Sequence, residues 1–124
     1  MNKTSANKYD LEERTAKFAE KIVELAKKAP KNVVTIPIIN QLVKSGTSIG
    51  ANYCEVNGAS SKRDFTNKIF ICKKESKETK YWLRMLIKAV VELKDECQEL
   101  WEEAQKLTLI FSKIAANSRA RNKI

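Results

Sequence analysis

Basic side chains concentrated in residues 61–90 give this sequence its clearest chemistry. The segment contains no glycine and no proline, and its apolar residues recur at helical spacing, so it is predicted to form one long helix. At about 100° per residue, a set of its cations falls together on one flank of that helix. These cations are Lys62, Lys73, Lys77, Lys80, Arg84 and Lys88. Such a row suits contacts with phosphate groups, although a lysine row that only faces water is the alternative interpretation.

Glutamates offer a second possible chemistry, because paired carboxylates can act as acid and base or hold a divalent cation. The candidates are Glu55 with Glu75 or Glu78. Glu55 ends a polar stripe on the second predicted helix, whose other members are Ser45, Ser48 and Asn52. The stripe is interpreted as a solvated face, a hydrogen-bonded seam against the third helix or another subunit, or a carboxylate site. The chain has no histidine, the commonest general base and metal ligand, so we favour the seam and predict no catalytic residue, no metal and no cofactor.

The cysteines give neither a disulfide signal nor a metal signal. Cys54, Cys72 and Cys97 are far apart in the chain, and no Cys-x-x-Cys pair is present. An odd number of thiols without a secretion signal indicates reduced cysteines, so a cytoplasmic location is expected. No window holds the roughly 18 apolar residues that a membrane span needs, and no membrane partner is expected.

Two helices are predicted before residue 61. The first begins at Asp10, where Glu13 is placed to complete a capping box, and it ends before Pro30. The second is expected to begin with Thr35 as its cap and to end at Asn57-Gly58. The residues expected on their buried faces are Leu11, Phe18, Ile22, Leu25 and Ala26, followed by Ile39, Leu42, Gly46, Ile49, Tyr53 and Val56.

Two further helices are predicted after that point. Ser61 is suited to cap the third helix, which ends near Val90, and a capping box that begins at Asp95 starts the fourth. Residues 1–8 are predicted to be a flexible arm, and residues 117–124 a basic disordered tail. The buried faces are expected to contain Phe65, Ile69, Cys72, Ser76, Thr79, Leu83, Leu86 and Val90, followed by Cys97, Leu100, Trp101, Ala104, Leu107, Thr108, Phe111, Ile114 and Ala115.

Helices of roughly 20–30 residues joined by short loops predict an all-α fold, an antiparallel up-down-up-down four-helix bundle that forms a single domain over residues 1–124. Gly46 and Gly50 each cost about 1 kcal/mol relative to alanine in a helix, which indicates close approach of a neighbouring helix. In this topology the N-terminal arm, the second turn and the C-terminal tail emerge at one end. The cations expected at this basic end are Lys3, Lys8, Lys62, Arg63, Arg119, Arg121 and Lys123.

The third helix carries more apolar surface than one core face requires. Ile71, Trp82 and Met85 lie away from the main apolar stripe, with Phe70 and Tyr81 nearby. A wide core face with some exposed aromatic residues is one interpretation, and we favour the other, that a second subunit covers this stripe. The residues predicted to form the oligomer interface are Ser48, Asn52, Glu55, Ile71, Glu75, Glu78, Trp82 and Met85.

The run SGTSIGANYCEVNGASSKRDFTNKIFICKKESKETKYWLRMLI resembles the bacterial four-helix-bundle family that includes the large-subunit ribosomal RNA intervening-sequence proteins. The matching positions are Ser45, Ser48, Ile49, Asn52, Glu55, Ser61, Asp64, Phe65, Lys68, Glu75, Glu78, Tyr81, Trp82 and Leu83. The resemblance implies a homopentamer shaped like a tapered barrel, without established catalytic activity. A distantly similar protein is the accessory protein of diversity-generating retroelements, a basic pentamer that assists a reverse transcriptase by binding nucleic acid.

The charge balance agrees with an anionic partner. The 124 residues include 24 Lys and Arg against 15 Asp and Glu, a net charge of +9. Our first hypothesis is therefore a non-enzymatic oligomer that binds nucleic acid, RNA in preference, through phosphates. The residues predicted to bind it are Lys62, Arg63, Lys73, Lys77, Lys80, Arg84, Lys88, Arg119, Arg121 and Lys123. The alternative is a structural or protein-interaction module that docks a partner such as a polymerase, and an enzyme that uses the glutamates is a third, less favoured hypothesis.

Overall fold

The structure is a computed structural model that describes residues 10–122, with side chains described as far as residue 119. Helix α1 spans Leu11–Lys28, α2 spans Thr35–Tyr53, α3 spans Lys62–Ala89 and α4 spans Lys94–Asn122. One-turn 3-10 segments lie at Val56–Gly58 and Val91–Leu93. The all-α class is confirmed, and the described part of the chain contains no strand.

Contacts between neighbouring helices confirm the antiparallel up-down-up-down order. Along α3, Thr66 hydrogen-bonds Ser118 of α4, whereas Lys80, further on, donates to the side chain of Gln105, earlier in α4. The third helix lies between α2 and α4 and packs extensively against both. Among the neighbouring helices, α1 and α4 pack least closely, which leaves a groove between them.

The apolar periodicity places the core correctly. Most of the residues expected on the buried faces are buried, including Ile22, Leu42, Ile69 and Phe111 at the centre. Phe65, Tyr53 and Ile114 are half-buried and pack against this core. The assignment of Trp101 to the core is wrong, since this residue is 37% exposed.

The N-terminal caps of α1 and α3 are confirmed. The Asp10 carboxylate accepts a hydrogen bond from the Glu13 backbone amide at 3.1 Å, and the Ser61 hydroxyl accepts one from Asp64 at 3.0 Å. For α2, however, the cap is not Thr35, which is the first helical residue. Asn32 does this work instead, because its side-chain oxygen accepts hydrogen bonds from the amides of both Val34 and Thr35, each at 2.9 Å.

Three predicted boundaries are wrong. Helix α2 ends at Tyr53, and Gly58 belongs to a separate 3-10 turn without the positive φ of a glycine cap. Asp95 lies inside the first turn of α4, because the 3-10 turn before it leads directly into the helix at Lys94. The expected disordered tail is helical as far as Asn122, since no glycine or proline interrupts it and alanine favours a helix. The predicted arm, residues 1–8, lies outside the described residues.

Glycines allow α1 and α2 to pack closely, as the sequence predicts. A Cβ atom added at Gly46 would lie 2.9 Å from Cγ1 and Cγ2 of Ile22, and one at Gly50 would lie 3.1 Å from the Thr15 hydroxyl oxygen. Ile22 is fully buried and β-branched, so its side chain has little freedom to move away. The packing of α1 on α2 therefore depends on the absence of a side chain at position 46.

The substitution Gly46→Ala should lower the free energy of unfolding. Overpacking a tight site costs about 1–3 kcal/mol, which exceeds the gain of about 1 kcal/mol from replacing glycine in a helix. We expect a net loss of about 1 kcal/mol in urea denaturation followed by circular dichroism. Gly58→Ala is the matched control, because an added Cβ there meets nothing within 4 Å. A Gly46→Ala protein as stable as the Gly58→Ala protein would contradict the close packing.

Candidate nucleic-acid interface

The predicted cation row lies on the flank of α3 that faces outward beside α4. Lys62, Lys77, Arg84 and Lys88 are exposed, and Lys73 and Lys80 are half-buried. Within the described residues, no member of the row has a carboxylate within 4.0 Å. The ion pairs that do form are Arg14–Glu103, Lys27–Glu24, Lys28–Glu96, Lys68–Glu55 and Lys68–Asp64. The row is therefore a largely exposed strip of cations, none of which forms an ion pair with a described carboxylate.

Two cations at the boundary of α3 and α4 are held against aromatic rings. The Lys80 amine lies 5.2 Å from the centre of the Trp101 ring and also donates to the side-chain oxygen of Gln105. The Arg119 guanidinium lies 5.1 Å from the centre of the Phe70 ring. Cation–π attraction of this kind contributes about 0.5–1 kcal/mol at exposed sites. Both pairs cross from one helix to the other, so they position the cations as well as joining the helices.

A shallow depression of about 360 Å³ lies on the outer surface of α3. It is lined by Phe70, Lys73, Lys74, Lys77 and Glu78. Three of these five side chains are lysines, and one is an acid. Sequence reasoning left Lys74 out, because it falls outside the flank that the other cations share, although a scan for local lysine density would have found it.

The predicted basic end also carries acidic side chains among the described residues. Its described cations, Lys62, Arg63 and Arg119, are all exposed. The start of α1, the turn after α2 and the first turn of α3 bring acidic side chains to this same end. They are Asp10, Glu12, Glu13, Glu55 and Asp64. Lys3, Lys8 and Lys123 and the side chain of Arg121 lie outside what the structure describes.

The groove between α1 and α4, with a volume of about 600 Å³, has a mixed character. Arg14 forms a two-pronged ion pair with Glu103 at 2.7 and 2.9 Å, and Lys28 pairs with Glu96 at 2.9 Å. The hydrogen bond to Glu103 raises the pKa of Arg14. These pairs join residues far apart in sequence, so no local signal could have revealed them. Because both signs of charge line this groove, it is less suited to a polyanion than the α3 flank.

The predicted oligomer-interface residues lie on the other flank of α3 and on α2. Ile71 is 40% exposed, whereas Trp82 is half-buried, packs against the core and meets the Tyr81 ring edge-on at 4.9 Å. Met85 is half-buried and Glu78 is exposed. Part of the second apolar stripe is therefore covered by the protomer itself, and Ile71 and Tyr81 remain largely open.

The polar stripe on α2 is satisfied within the chain. The Ser48 hydroxyl donates to the Lys44 carbonyl, and the Asn52 amide donates to the Ser48 carbonyl at 2.8 Å. Glu55, in the turn after α2, lies 3.4 Å from the Lys68 amine of α3. The Ser48 and Asn52 bonds stay within α2, so these bonds support the predicted seam at Glu55 alone. The described residues contain no group of three or more acidic or cysteine side chains arranged to hold a metal ion.

Glu75 has a perturbed carboxylate. Partial burial raises its pKa above the ordinary value of 4.5, and repulsion from Glu78 adds to the effect. Burial also raises the pKa of the Cys72 thiol to about 12 and that of Cys97 to about 11, so both remain protonated. Cys54 is exposed.

The 23S rRNA-intervening sequence protein family matches residues 7–113 of the chain. The chain belongs to this family. The resemblance carried by α2 and α3 is therefore confirmed. A crystal structure from Bacteroides thetaiotaomicron VPI-5482, of a protein with unknown function from the S23 ribosomal protein family, is 31% identical. The match covers 84% of this chain and 96% of that one, with a TM-score of 0.74.

No curated protein matches the chain significantly. Neither the family description nor the description of the Bacteroides relative names a reaction. No helix within the described part of the chain is long and apolar enough to span a membrane.

The raised pKa of Glu75 predicts a pH-dependent effect on stability. The folded protein binds a proton at Glu75 more tightly than the unfolded chain does, so the ionised carboxylate destabilises the fold as the pH rises above about 4.5. Glu75→Gln should therefore be more stable than the parent at pH 7, with the difference shrinking towards pH 4. Urea denaturation at both pH values measures this, and Glu20→Gln on the exposed face of α1 is the control. A difference that does not change with pH would contradict the assignment.

Proposed function

We propose that this protein is a non-enzymatic, homo-oligomeric RNA-binding protein of the cytoplasm. The observation that carries the proposal is the row on α3, whose cations have no carboxylate partner within the described chain. The net charge of +9 and a family described by an rRNA intervening sequence support RNA as the anion. Glu55, which is common to both candidate carboxylate pairs, is paired with Lys68, and we propose no catalytic role for it or for Glu75 and Glu78.

Binding of this kind is dominated by phosphates. Lysine and arginine neutralise backbone phosphates and release counterions, which gives affinity without reading the base sequence. The row runs along most of the length of α3, from Lys62 to Lys88. It is therefore suited to contact successive phosphates of an RNA strand, and less suited to hold a single small anion. The proposed target is therefore a stretch of RNA backbone.

Oligomerisation is the second part of the proposal. Ile71, on the flank of α3 next to α2, is 40% exposed, and Tyr81, on the outward side of α3, is 54% exposed, which is apolar surface that a second subunit can cover. The family resemblance favours a pentamer. A ring of identical chains would repeat the cation row around its outside, so that weak contacts to one long RNA add through avidity.

One feature favours a second candidate function, docking of a protein partner. Apolar residues are exposed at the end of the bundle where the α1–α2 and α3–α4 connections lie. Val33 is 89% exposed, Val34 56%, Ile36 46% and Val91 65%. An apolar tip of this kind would suit a protein partner such as a polymerase.

Charge reversal on α3 tests RNA binding. Lys73→Glu with Lys77→Glu should weaken binding of a labelled RNA at least about tenfold, because two phosphate contacts become repulsions. Lys17→Glu with Lys21→Glu is the matched control, since it makes the same charge change at the same spacing on the exposed face of α1. Fluorescence anisotropy measures affinity, and circular dichroism checks that both variants fold.

Equal loss of affinity in the two variants would show that only net charge matters, and unchanged affinity in both would favour protein docking. For the parent protein, affinity should also fall steeply with salt, with a logarithmic slope of about 0.7 for each phosphate contacted on a single strand.

Light scattering after size-exclusion chromatography tests the oligomer. A pentamer of the 14.1 kDa chain would have a mass of about 70 kDa. Ile71→Glu should dissociate it, because the new carboxylate would be buried without a partner. Leu109→Glu on α4, where leucine is 59% exposed, is the control and should leave the mass unchanged. A parent protein that elutes as a monomer would overturn the proposed interface.

A further inference from the structure

The two cation–aromatic pairs mark the ends of a surface along the boundary of α3 and α4. Lys80 and Trp101 form one pair, and Arg119 and Phe70 form the other. Phe70 and Lys80 are ten residues apart on α3, which corresponds to about 15 Å along the helix axis at 1.5 Å per residue. The surface between the pairs, which we call the α3–α4 track, is long enough for a few consecutive nucleotides.

The cations of the track are spaced to meet successive phosphates. Lys73 and Lys77 lie between the two pairs, one helical turn or about 6 Å apart, which is comparable to the phosphate spacing along an RNA strand. Arg119 extends this set at one end, where the Phe70 ring holds its guanidinium. A cation already held in position loses less side-chain entropy when it binds, so the Arg119 contact is favoured over that of a free lysine.

Trp101 is only partly explained by its contact with Lys80, whose amine lies 5.2 Å from the centre of the ring. It is a large aromatic residue, 37% exposed, on the surface that also carries the cations. A nucleobase can stack on an exposed indole ring, and such stacking is a recurring element of proteins that bind single strands. The bases of a duplex are already stacked inside the helix, so they are not available to stack on a protein ring.

We infer that the α3–α4 track binds single-stranded RNA, with phosphates on Lys73, Lys77 and Arg119 and one base stacked on Trp101. The inference rests on the proposed function and adds to it the strandedness of the ligand and an aromatic contact. The acidic side chain that lines the depression beside the track is Glu78, and no carboxylate lies within 4.0 Å of the track's cations among the described residues.

Tryptophan fluorescence tests the stacking directly, because the chain has only two tryptophans. The variant Trp82→Phe leaves Trp101 as the sole reporter, and Trp101→Phe leaves Trp82. Titration of the first variant with a 12-nucleotide single-stranded RNA should quench its emission, with the same midpoint as binding followed by anisotropy. The second variant should show little quenching. If Trp82→Phe fails to fold, the loss of quenching between the parent and Trp101→Phe gives the same information.

Affinity provides the second measurement. Trp101→Leu should weaken binding of the single strand about tenfold, as expected for the loss of one base stack. It should weaken binding of a 12-base-pair RNA duplex by less than about twofold, since phosphate contacts remain.

The outcomes separate this inference from the proposed function. If charge reversal at Lys73 and Lys77 weakens RNA binding while Trp101 neither responds to RNA nor affects affinity, the stacking inference is wrong and phosphate binding stands. Duplex RNA that binds as tightly as the single strand would also overturn the inference. If the parent protein binds neither RNA, the inference and the proposed function fail together.

Discussion

The burial of one face of α3 between α2 and α4 is the constraint on which the rest of the structure depends. Ile69, Cys72, Ser76, Leu83 and Leu86 on this face are completely buried. A helix that buries one stripe fixes the direction of every other side chain it carries, because successive residues are rotated by about 100°. The cations beside the stripe must therefore face outward next to α4, and Ile71 must face outward next to α2.

The side chains in the middle of this buried face of α3 are small and partly polar. They let the neighbouring helices approach closely without leaving polar groups unsatisfied. The Ser76 hydroxyl donates to the Cys72 carbonyl at 2.9 Å, and Thr79 donates to Glu75 at 2.7 Å. Within the described residues, every buried side-chain nitrogen or oxygen has a hydrogen-bond partner. A buried hydroxyl that bonds its own helix avoids the cost of about 1–3 kcal/mol for an unpaired polar group. The core therefore tolerates these residues without a partner on another helix.

The sequence predicted what local rules determine and missed what depends on distant residues. Periodicity identified the buried faces, and the caps at Asp10 and Ser61 follow from bonds that span three residues. Trp101 was misplaced because it borders the apolar stripe of α4, and the packing of α3 against α4, which periodicity does not show, leaves its ring partly exposed beside Lys80. The basic end stays a prediction, because the cations at both termini lie outside the described residues, but counting cations alone overlooked the acids that the same topology brings there, such as Asp10 and Glu55. The Arg14–Glu103 pair joins residues 89 positions apart, so no local sequence pattern could have predicted it.

The two flanks of α3 have different chemistry, and this separation bears on the proposed function. The flank beside α2 combines open apolar surface at Ile71 with polar groups bonded inside the protomer, whereas the flank beside α4 carries cations without carboxylate partners. Self-association through the first flank would leave the second accessible. Two acids of α4, Glu96 and Glu103, do not neutralise the cation row, because they pair with α1 on the opposite side of α4. Assembly and RNA binding would therefore use the same helix without competing for the same surface, and each added subunit would add another cation row.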